Sequence, residues 1–525
     1  MLQWYRWVQP YALGAVLAPW YIQLLRISWC LVVLALERGV FYWAASRCDL
    51  PQGPESTFRV LVLSDPQIVE NGTYGSISPI FQAVISHFSN NYLQKVWLAL
   101  SKQGIGTWLW AQPRPADLVV FLGDMTDRGR WYQIFDFWSR SQESWRMLFP
   151  GISVLRSANQ PITRRAPEDP YPALVLPGNH DIGLPLSNTG APMLENKMAA
   201  EWFQQRYAPH VDDQFQLTDE HGALSWDARI PLSIGDSGNV THELVLVNGP
   251  ALVGMENIDA APLRTEEALD EAKSRAASTS KMIDWLGDHA NPDVPRILFT
   301  HIPLSRRDLE RSCDIPWRSA SHGVFRESHR SLIPGGEIFQ GGDAAHTYQN
   351  LVREDVSNYV LRSIQPAVVF SGDDHDHCEV IHRKFRQNQI YNVYGFDPAD
   401  VPEVTVKSMS MTEGVRRPGY VWLQLSSIDH GIDYRPCLLP NQIFLWTGIY
   451  LPLFVLSVAF LFIKNGQYQP LGSLLPSHFS STHPRPRVWR LCVRGSNVVG
   501  SLRRVAHQVS LIGFAPLLLW LLLQS

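Results

Sequence analysis

Residues 117–129 read DLVVFLGDMTDRG. Five apolar residues follow Asp117, short enough for a strand and apolar enough for one buried on both faces. The run stops at Gly123, and Asp124 follows at the carboxyl end, where open α/β sheets place their sites. The pattern recurs. FRVLVL (58–63) ends in Ser64-Asp65-Pro66-Gln67, PALVL (172–176) in Pro177-Gly178-Asn179-His180-Asp181, and RILFT (296–300) in His301. PAVVF (366–370) ends in Ser371-Gly372-Asp373-Asp374-His375-Asp376-His377. One Gly-Asp after a strand is ordinary turn chemistry. Five strands that each deliver a carboxylate, amide or imidazole at the same end predict a metal site. ELVLV (243–247) and YVWLQL (420–425) are two further strands, and 259–288 has a helical rhythm, so 55–435 reads as alternating α/β. Pro- and Ser-rich stretches at 156–171 and 184–195 read as surface insertions.

The blocks GDMTDRG (123–129) and GNHD (178–181), with the later His301 and the SGDDHDHCE stretch (371–379), resemble the calcineurin-like metallophosphoesterase superfamily over about 60–435. The resemblance implies an α/β sandwich of two mixed sheets flanked by helices, and two divalent metal ions. Asp65, Gln67, Asp124 and His375 would hold one ion. Asp124, Asn179, His301 and Asp373 would hold the other, with Asp124 bridging. His180 would be the acid beside the substrate and Asp181 its orienting partner, with Arg128 and His377 close to the substrate or behind the ligands. Two metals neutralise an anionic phosphodiester and generate a hydroxide nucleophile near neutral pH. A group titrating near 7 then protonates the leaving alkoxide.

Two positions depart from the family pattern. Gln67 and Asp373 stand where the family carries His, and each exchanges nitrogen for oxygen. The resulting set of three carboxylates, two amides and two imidazoles favours Mn²⁺ or Mg²⁺ over Zn²⁺. Decay of a site ordinarily leaves Ala, Ser or Leu, whereas Asp and Gln still ligate. The last motif has two registers. Gly372 turning directly into Asp373 and His375 is one, and a shifted His375-x-His377 pair is the other. The first fits the family spacing better, because two residues of extended chain displace a side chain by several ångströms.

Residues 441–463 are uncharged over a length sufficient to cross a bilayer, and 505–525 hold a second apolar segment, 509–523. Between them, 464–504 carries Lys464, Arg485, Arg487, Arg490, Arg494, Arg503 and Arg504 and no acid, which predicts a cytoplasmic loop and a lumenal domain over 48–436. An N-terminal anchor is expected within 1–47, its span near 22–46, with Arg26, Glu37 and Arg38 at helix ends or the interface. Asn71 and Asn239 begin glycosylation sequons. Cys48 and Cys437 both flank the membrane segments; a bridge between them and free or buried thiols are both open. The six cysteines include no CxxC pair, which excludes a zinc ribbon. A net charge of -4 without a basic stripe in the middle excludes nucleic acid as partner.

With SDPQ (64–67) and TVKSMSM (405–411), the whole is similar to a fungal branch related to enzymes that remove ethanolamine phosphate from glycosylphosphatidylinositol (GPI) anchors. That likeness implies a manganese phosphodiesterase in the endoplasmic reticulum or early Golgi membrane, a GPI glycan as substrate, and cargo receptors of the secretory pathway as partners. The rivals are a broad phosphomonoesterase or nucleotide hydrolase, and a manganese-binding trafficking or metal-homeostasis factor without turnover.

Overall fold

The computed structural model describes residues 19–48, 57–70, 77–101, 116–127, 135–155, 161–166, 169–183, 194–207, 227–234, 238–257, 266–306, 310–312, 338–340, 347–349, 351–385, 393, 395–412, 415, 417–465 and 495–524. The chain divides into two units, Phe41–Asn441 and the flanking segments Met1–Val40 with Gln442–Ser525.

In the first unit the strands are β1 (Thr57–Leu63), β2 (Leu118–Phe121), β3 (Ile152–Val154), β4 (Tyr171–Val175), β5 (Ala228–Leu232), β6 (His242–Val247), β7 (Arg296–Thr300) and β8 (Glu310–Ser312). They continue as β9 (Ile338–Gln340), β10 (Thr347–Gln349), β11 (Val368–Ser371), β12 (Cys378–His382), β13 (Val401–Thr405), β14 (Gly419–Ser426) and β15 (Ile432–Leu438). One sheet runs β15-β14-β1-β2-β4-β3 and the other β5-β6-β7-β11-β13-β12-β8, with β9 and β10 a separate pair. Both large sheets are mixed: β1 pairs parallel to β2 and antiparallel to β14, and β13 parallel to β11 and antiparallel to β12. All seven predicted strands are present.

The sheets face each other. Val60, Val62, Val120 and Leu423 of one meet Leu244, Leu246, Ile297, Phe299, Phe370 and Val404 of the other in a single core. The alternate residues Val245, Val247, Leu298 and Val369 point the other way. They lie under helices 266–288 and 354–364, against Met282, Ile283, Leu286, Val360 and Ile364. That double burial is why these strands are continuous apolar runs rather than alternating ones. Behind the first sheet, Phe121 and Tyr171 meet Phe149 and Trp97 through edge-to-face rings 5.3 to 5.4 Å apart.

Cys48 and Cys437 form a disulfide across 389 residues of sequence. The stretch 156–171 contains an ordered contact, Ile162 bridging Leu232, and the start of β4. Most of 184–195 lies outside the described residues, and helix Leu194–Tyr207 follows.

In the second unit, Gln442–Lys464 and Leu502–Leu521 are long and apolar enough to cross a membrane by length and composition. Both lie in the C-terminal part. The N-terminal segment is helical over Trp20–Leu34 and passes through a π-helical turn, Ala35–Gly39. It carries Arg26, Glu37 and Arg38 and is not one of the two. These charges fall within the helical run rather than at its ends. Arg26 Nε and Nη2 donate to Leu511 O at 3.1 and 2.9 Å, Arg38 donates to Leu523 O, and Glu37 accepts from Tyr450 Oη at 2.9 Å. Ile22, Leu461, Val505 and Ile512 pack together in the same unit. Away from water, a charge inside an apolar bundle stays only where a carbonyl or hydroxyl meets it.

Candidate metal centre

The site is built from loops that leave β1, β2, β4, β7 and β11 at their carboxyl ends. Five of the seven predicted ligands hold left-handed backbone: Asp65 (φ 49°), Gln67 (45°), Asp124 (52°), Asp373 (57°) and His375 (59°). Such a conformation costs a non-glycine residue about 1–2 kcal/mol and persists only where surroundings impose it. The surroundings are a main-chain lattice. Gln67 N donates to Asp124 O at 2.9 Å, Met409 N to Ser64 O at 2.9 Å, and Ser408 N to His375 O at 3.0 Å. Ser408 Oγ adds a bond to Asp65 O at 2.8 Å. Two glycines let the loops close. Gly123 has φ 119°, and a Cβ on Gly178 would lie 2.0 Å from Asp124 Oδ1.

Ligand-type atoms of Asp65, Asp124 and His301 all lie within 4.8 Å of one another. His301 Nε2 is 3.3 Å from Asp124 Oδ1 and 3.8 Å from Asp373 Oδ1. Asn179 Nδ2 donates to Asp373 Oδ1 at 3.0 Å. On the other side of Asp124, Gln67 Nε2 lies 3.3 Å from its Oδ2 and 2.9 Å from His375 Nε2, which is 3.5 Å from Asp65 Oδ1. The structure therefore brings together Asp65, Gln67, Asp124, Asn179, His301, Asp373 and His375, all fully buried. In the last motif it is Asp373 and His375 that meet the other candidate ligands. Asp376 pairs with Lys407 and accepts from the His377 amide at 2.9 Å. Arg306 pairs with Asp374 at 3.3 Å.

The donors fit a divalent cation. Asp65 Oδ1 and His301 Nε2 are buried without a hydrogen-bond partner among the described residues. Leaving such atoms unsatisfied is costly unless they bind an ion. His301 Nδ1 donates to Leu122 O at 3.0 Å, which fixes the tautomer and leaves Nε2 as the coordinating nitrogen. Burial pulls His301 down, but Asp124, Asp65 and Asp373 outweigh it and hold the ring at about 10. Burial pushes Asp65 up to about 7, with Asp124 and Asp373 adding to the rise against His301 and Ser64. Burial also opposes the charge of Asp124, yet His301 and His180 hold its carboxyl well below the usual range. So much negative charge without solvent is a binding site for positive charge.

His180 is the exception to full burial, with a side chain 15% exposed. Its amide donates to Asp124 Oδ1 at 2.8 Å, and Nδ1 bonds the carbonyl of Asp127 at 2.5 Å. The expected orienting partner, Asp181, does other work. Its carboxylate accepts from the amides of Met125 (3.1 Å), Thr126 (3.0 Å) and Gly178 (3.0 Å), so it ties the β2 and β4 loops together. With three main-chain donors on it, that carboxylate braces the loops on either side of His180. Asp127, Ser408 and Lys407 are the supporting residues that the motifs alone did not single out; only the TVKSMSM block hinted at the last two. Arg128 and Asn71 lie outside the described residues, and Asn239 is exposed. Cys378 is disulfide-bonded.

The baker's yeast (Saccharomyces cerevisiae) protein "Cell division control protein 1" is 25% identical over 464 residues, 84% of this chain and 74% of the relative. Among solved structures, the phosphopantetheinyl hydrolase PptH of Mycobacterium tuberculosis aligns with 68% of this chain and 92% of its own, at 9% identity and a TM-score of 0.27. The calcineurin-like phosphoesterase family profile matches residues 58–377, the span that holds every loop of the carboxylate and imidazole cluster. A phosphoric-ester hydrolase that uses divalent metal ions is what those loops build, and the chain belongs to the calcineurin-like phosphoesterase family.

Proposed function

We propose that this hydrolase is a manganese-dependent phosphodiesterase with two metal ions that removes ethanolamine phosphate from the GPI-anchor glycan. Its catalytic unit is lumenal, in the membrane of the endoplasmic reticulum or early Golgi. The observation that carries the chemistry is the shared position of Asp124, with His301 and Asp373 on one side and Gln67, His375 and Asp65 on the other. Asp65, Gln67, Asp124 and His375 would hold one ion, and Asp124, Asn179, His301 and Asp373 the second. Oxygen predominates in that set, which favours Mn²⁺.

Bound ions would neutralise the phosphate and supply a nucleophile near neutral pH. The chain's residues do the rest. Asp181 and the main-chain lattice fix the loops, so the ligands need no rearrangement when substrate arrives. Asp127 O holds His180 through Nδ1, which leaves Nε2 as the atom that passes a proton to the leaving alkoxide. Full burial of the ligands keeps bulk water from the reacting centre.

The substrate rests on the likeness of SDPQ, SGDDHDHCE and TVKSMSM to the GPI-trimming branch. The compartment is supported by the Cys48–Cys437 disulfide, by exposed Asn239 in its sequon and by the basic 464–504 loop. Mass spectrometry of GPI glycans in cells lacking the protein tests the reading. Ethanolamine phosphate should persist on the glycan, wild type should clear it, and Asp124→Ala should not. Unchanged glycans alongside lost hydrolysis of p-nitrophenyl phosphate would instead favour a general phosphomonoesterase. Intact manganese binding without any turnover would favour a metal-binding factor.

A further inference from the structure

Helix Pro79–Leu100 has one character in each half. Its second half buries Tyr92, Leu93, Val96, Trp97 and Leu100 against the sandwich. Its first half buries Gln82 and Ser89 and leaves an apolar face exposed. Ile80, Phe81 and Val84 are 78, 66 and 46% exposed, and their helical spacing puts them on one face, with Ile77 just ahead of the helix 37% exposed. No Asp, Glu, Lys or Arg occurs from Pro79 to Gln94, and Lys95 is buried. A surface helix facing water carries charged or polar residues outward. This one turns isoleucine, phenylalanine and valine outward, and a contiguous apolar face marks an interaction site.

The same helix says what covers it. Tyr92 Oη donates to Pro440 O at 2.9 Å, and the Tyr92 ring meets Phe41 edge-to-face at 5.5 Å. The Lys95 ammonium lies 5.3 Å from the centre of the Phe41 ring. Pro440 is two residues before the apolar segment Gln442–Lys464, about 7 Å of chain at most. Phe41 lies in helix Val40–Arg47, which continues the N-terminal helical run. The helix is thus pinned at the two places where the chain leaves this unit for its hydrophobic segments. Two residues beyond Phe41, Trp43 is 49% exposed with the Arg47 guanidinium 4.8 Å over its ring. An exposed Trp with a basic residue is the pairing of a bilayer headgroup layer.

We infer that the Ile80-Phe81-Val84 face, with Ile77 just ahead of it, lies in the headgroup–acyl boundary of a phospholipid bilayer and seats the catalytic unit on the membrane. An interfacial helix buries an apolar stripe 5–10 Å into that boundary. The seat reaches the metal loops directly. Ser86 Oγ and Asn90 Nδ2 donate to Val69 O at 2.6 and 3.0 Å, two residues beyond Gln67. The helix that contacts lipid therefore sets how far the metal loops stand from the bilayer, which selects phosphoesters held at the membrane surface. The proposal rests on reading 442–464 as a membrane span, not on the identity of the substrate.

The test is photocrosslinking of the full chain in nanodiscs that contain a phosphatidylcholine with a diazirine near the headgroup end of one acyl chain. Peptide mapping should find lipid adducts in 77–88 as well as in 442–464. The double substitution Ile80→Asp/Phe81→Asp should lower the 77–88 adducts tenfold or more, with those at 442–464 and hydrolysis of bis-p-nitrophenyl phosphate retained. Adducts at 442–464 with none at 77–88 in the wild type overturn the proposal, whether or not the variant folds. Crosslinks from 77–88 to a second copy of the chain overturn it in favour of a dimer face. Absence of adducts at both segments removes the membrane reading and this proposal with it.

Discussion

Thr126 donates both its backbone N–H and its hydroxyl to Asp181 Oδ1, at 3.0 and 3.1 Å. With Met125 and Gly178 on the other oxygen, one buried carboxylate gathers four donors from two loops. Asp181→Asn puts an NH₂ group against some of those donors. It should lower stability by about 1–3 kcal/mol, the cost of a buried donor left without an acceptor. Urea unfolding in excess chelator is the measurement, because a loss seen without metal separates loop bracing from ligation.

His180→Ala should reduce kcat by about 10²–10⁴ on a diester with a poor leaving group, the range for loss of an acid–base residue. Metal content by atomic emission should stay at the wild-type value, since the ring lies 4.0 Å from Asp124 Oδ2 and is not packed among the ligands. Loss of metal in this variant would move His180 into the ligand set.

Chelation should lower the thermal midpoint, because ions that bind only the folded chain stabilise it by mass action. Added Mn²⁺ should restore activity further than added Zn²⁺. The contrast should invert when Gln67 and Asp373 are both changed to His, which returns two nitrogen donors. A Zn²⁺ optimum in the wild-type enzyme would count against both residues as ligands.

His242 gives a pH dependence independent of the metals. It is fully buried beside His430, ring centres 5.9 Å apart, with Asp429 nearby. Burial first, and then His430, push it from 6.5 down to about 3. Between those values the unfolded chain holds a proton that the folded chain refuses. Stability is therefore fully present above about pH 6.5 and falls as pH drops towards 3, by about 1.4 kcal/mol per unit. Unfolding midpoints at pH 7, 6 and 5 should show this slope in wild type and less of it in His242→Gln. Equal slopes would assign the acid sensitivity elsewhere.

The orientation is tested by protease protection in sealed microsomes. A tag near 200 should be protected and one near 480 cleaved, as the basic loop between the apolar segments requires. The reverse pattern inverts the topology.

Seven strands were legible because burial leaves runs dominated by Val, Leu, Ile and Phe. β13 was not, since Pro402 and Glu403 interrupt it. Glu403 is nevertheless fully buried, satisfied by His382 Nε2 at 2.8 Å, Ser371 Oγ at 2.8 Å and the Leu304 amide at 3.0 Å. No local pattern announces a buried glutamate whose partners come from three other segments. β15 was hidden by Pro436 and Arg435, which an edge strand tolerates. In the site, residue type revealed the ligands, because few side chains can bind a metal. The supports were less visible. The Asp127 carbonyl that holds His180, and the Ser408 and Met409 amides that hold the left-handed loops, act through the main chain, which every residue shares.

The Cys48–Cys437 disulfide also decides where mechanical load goes. Cys437 sits on β15, an edge strand paired along its length with β14, and Pro440 and the apolar segment from Gln442 follow within a few residues. A pull on that segment would otherwise peel β15 from β14, one hydrogen bond at a time. With the sulfurs joined, the force crosses from Cys437 to Cys48 and leaves along the N-terminal helix. Tugging at either end of the catalytic unit loads the sulfur–sulfur link and not the chain it encloses, so the loops that hold Asp124 and His301 stay outside the line of tension.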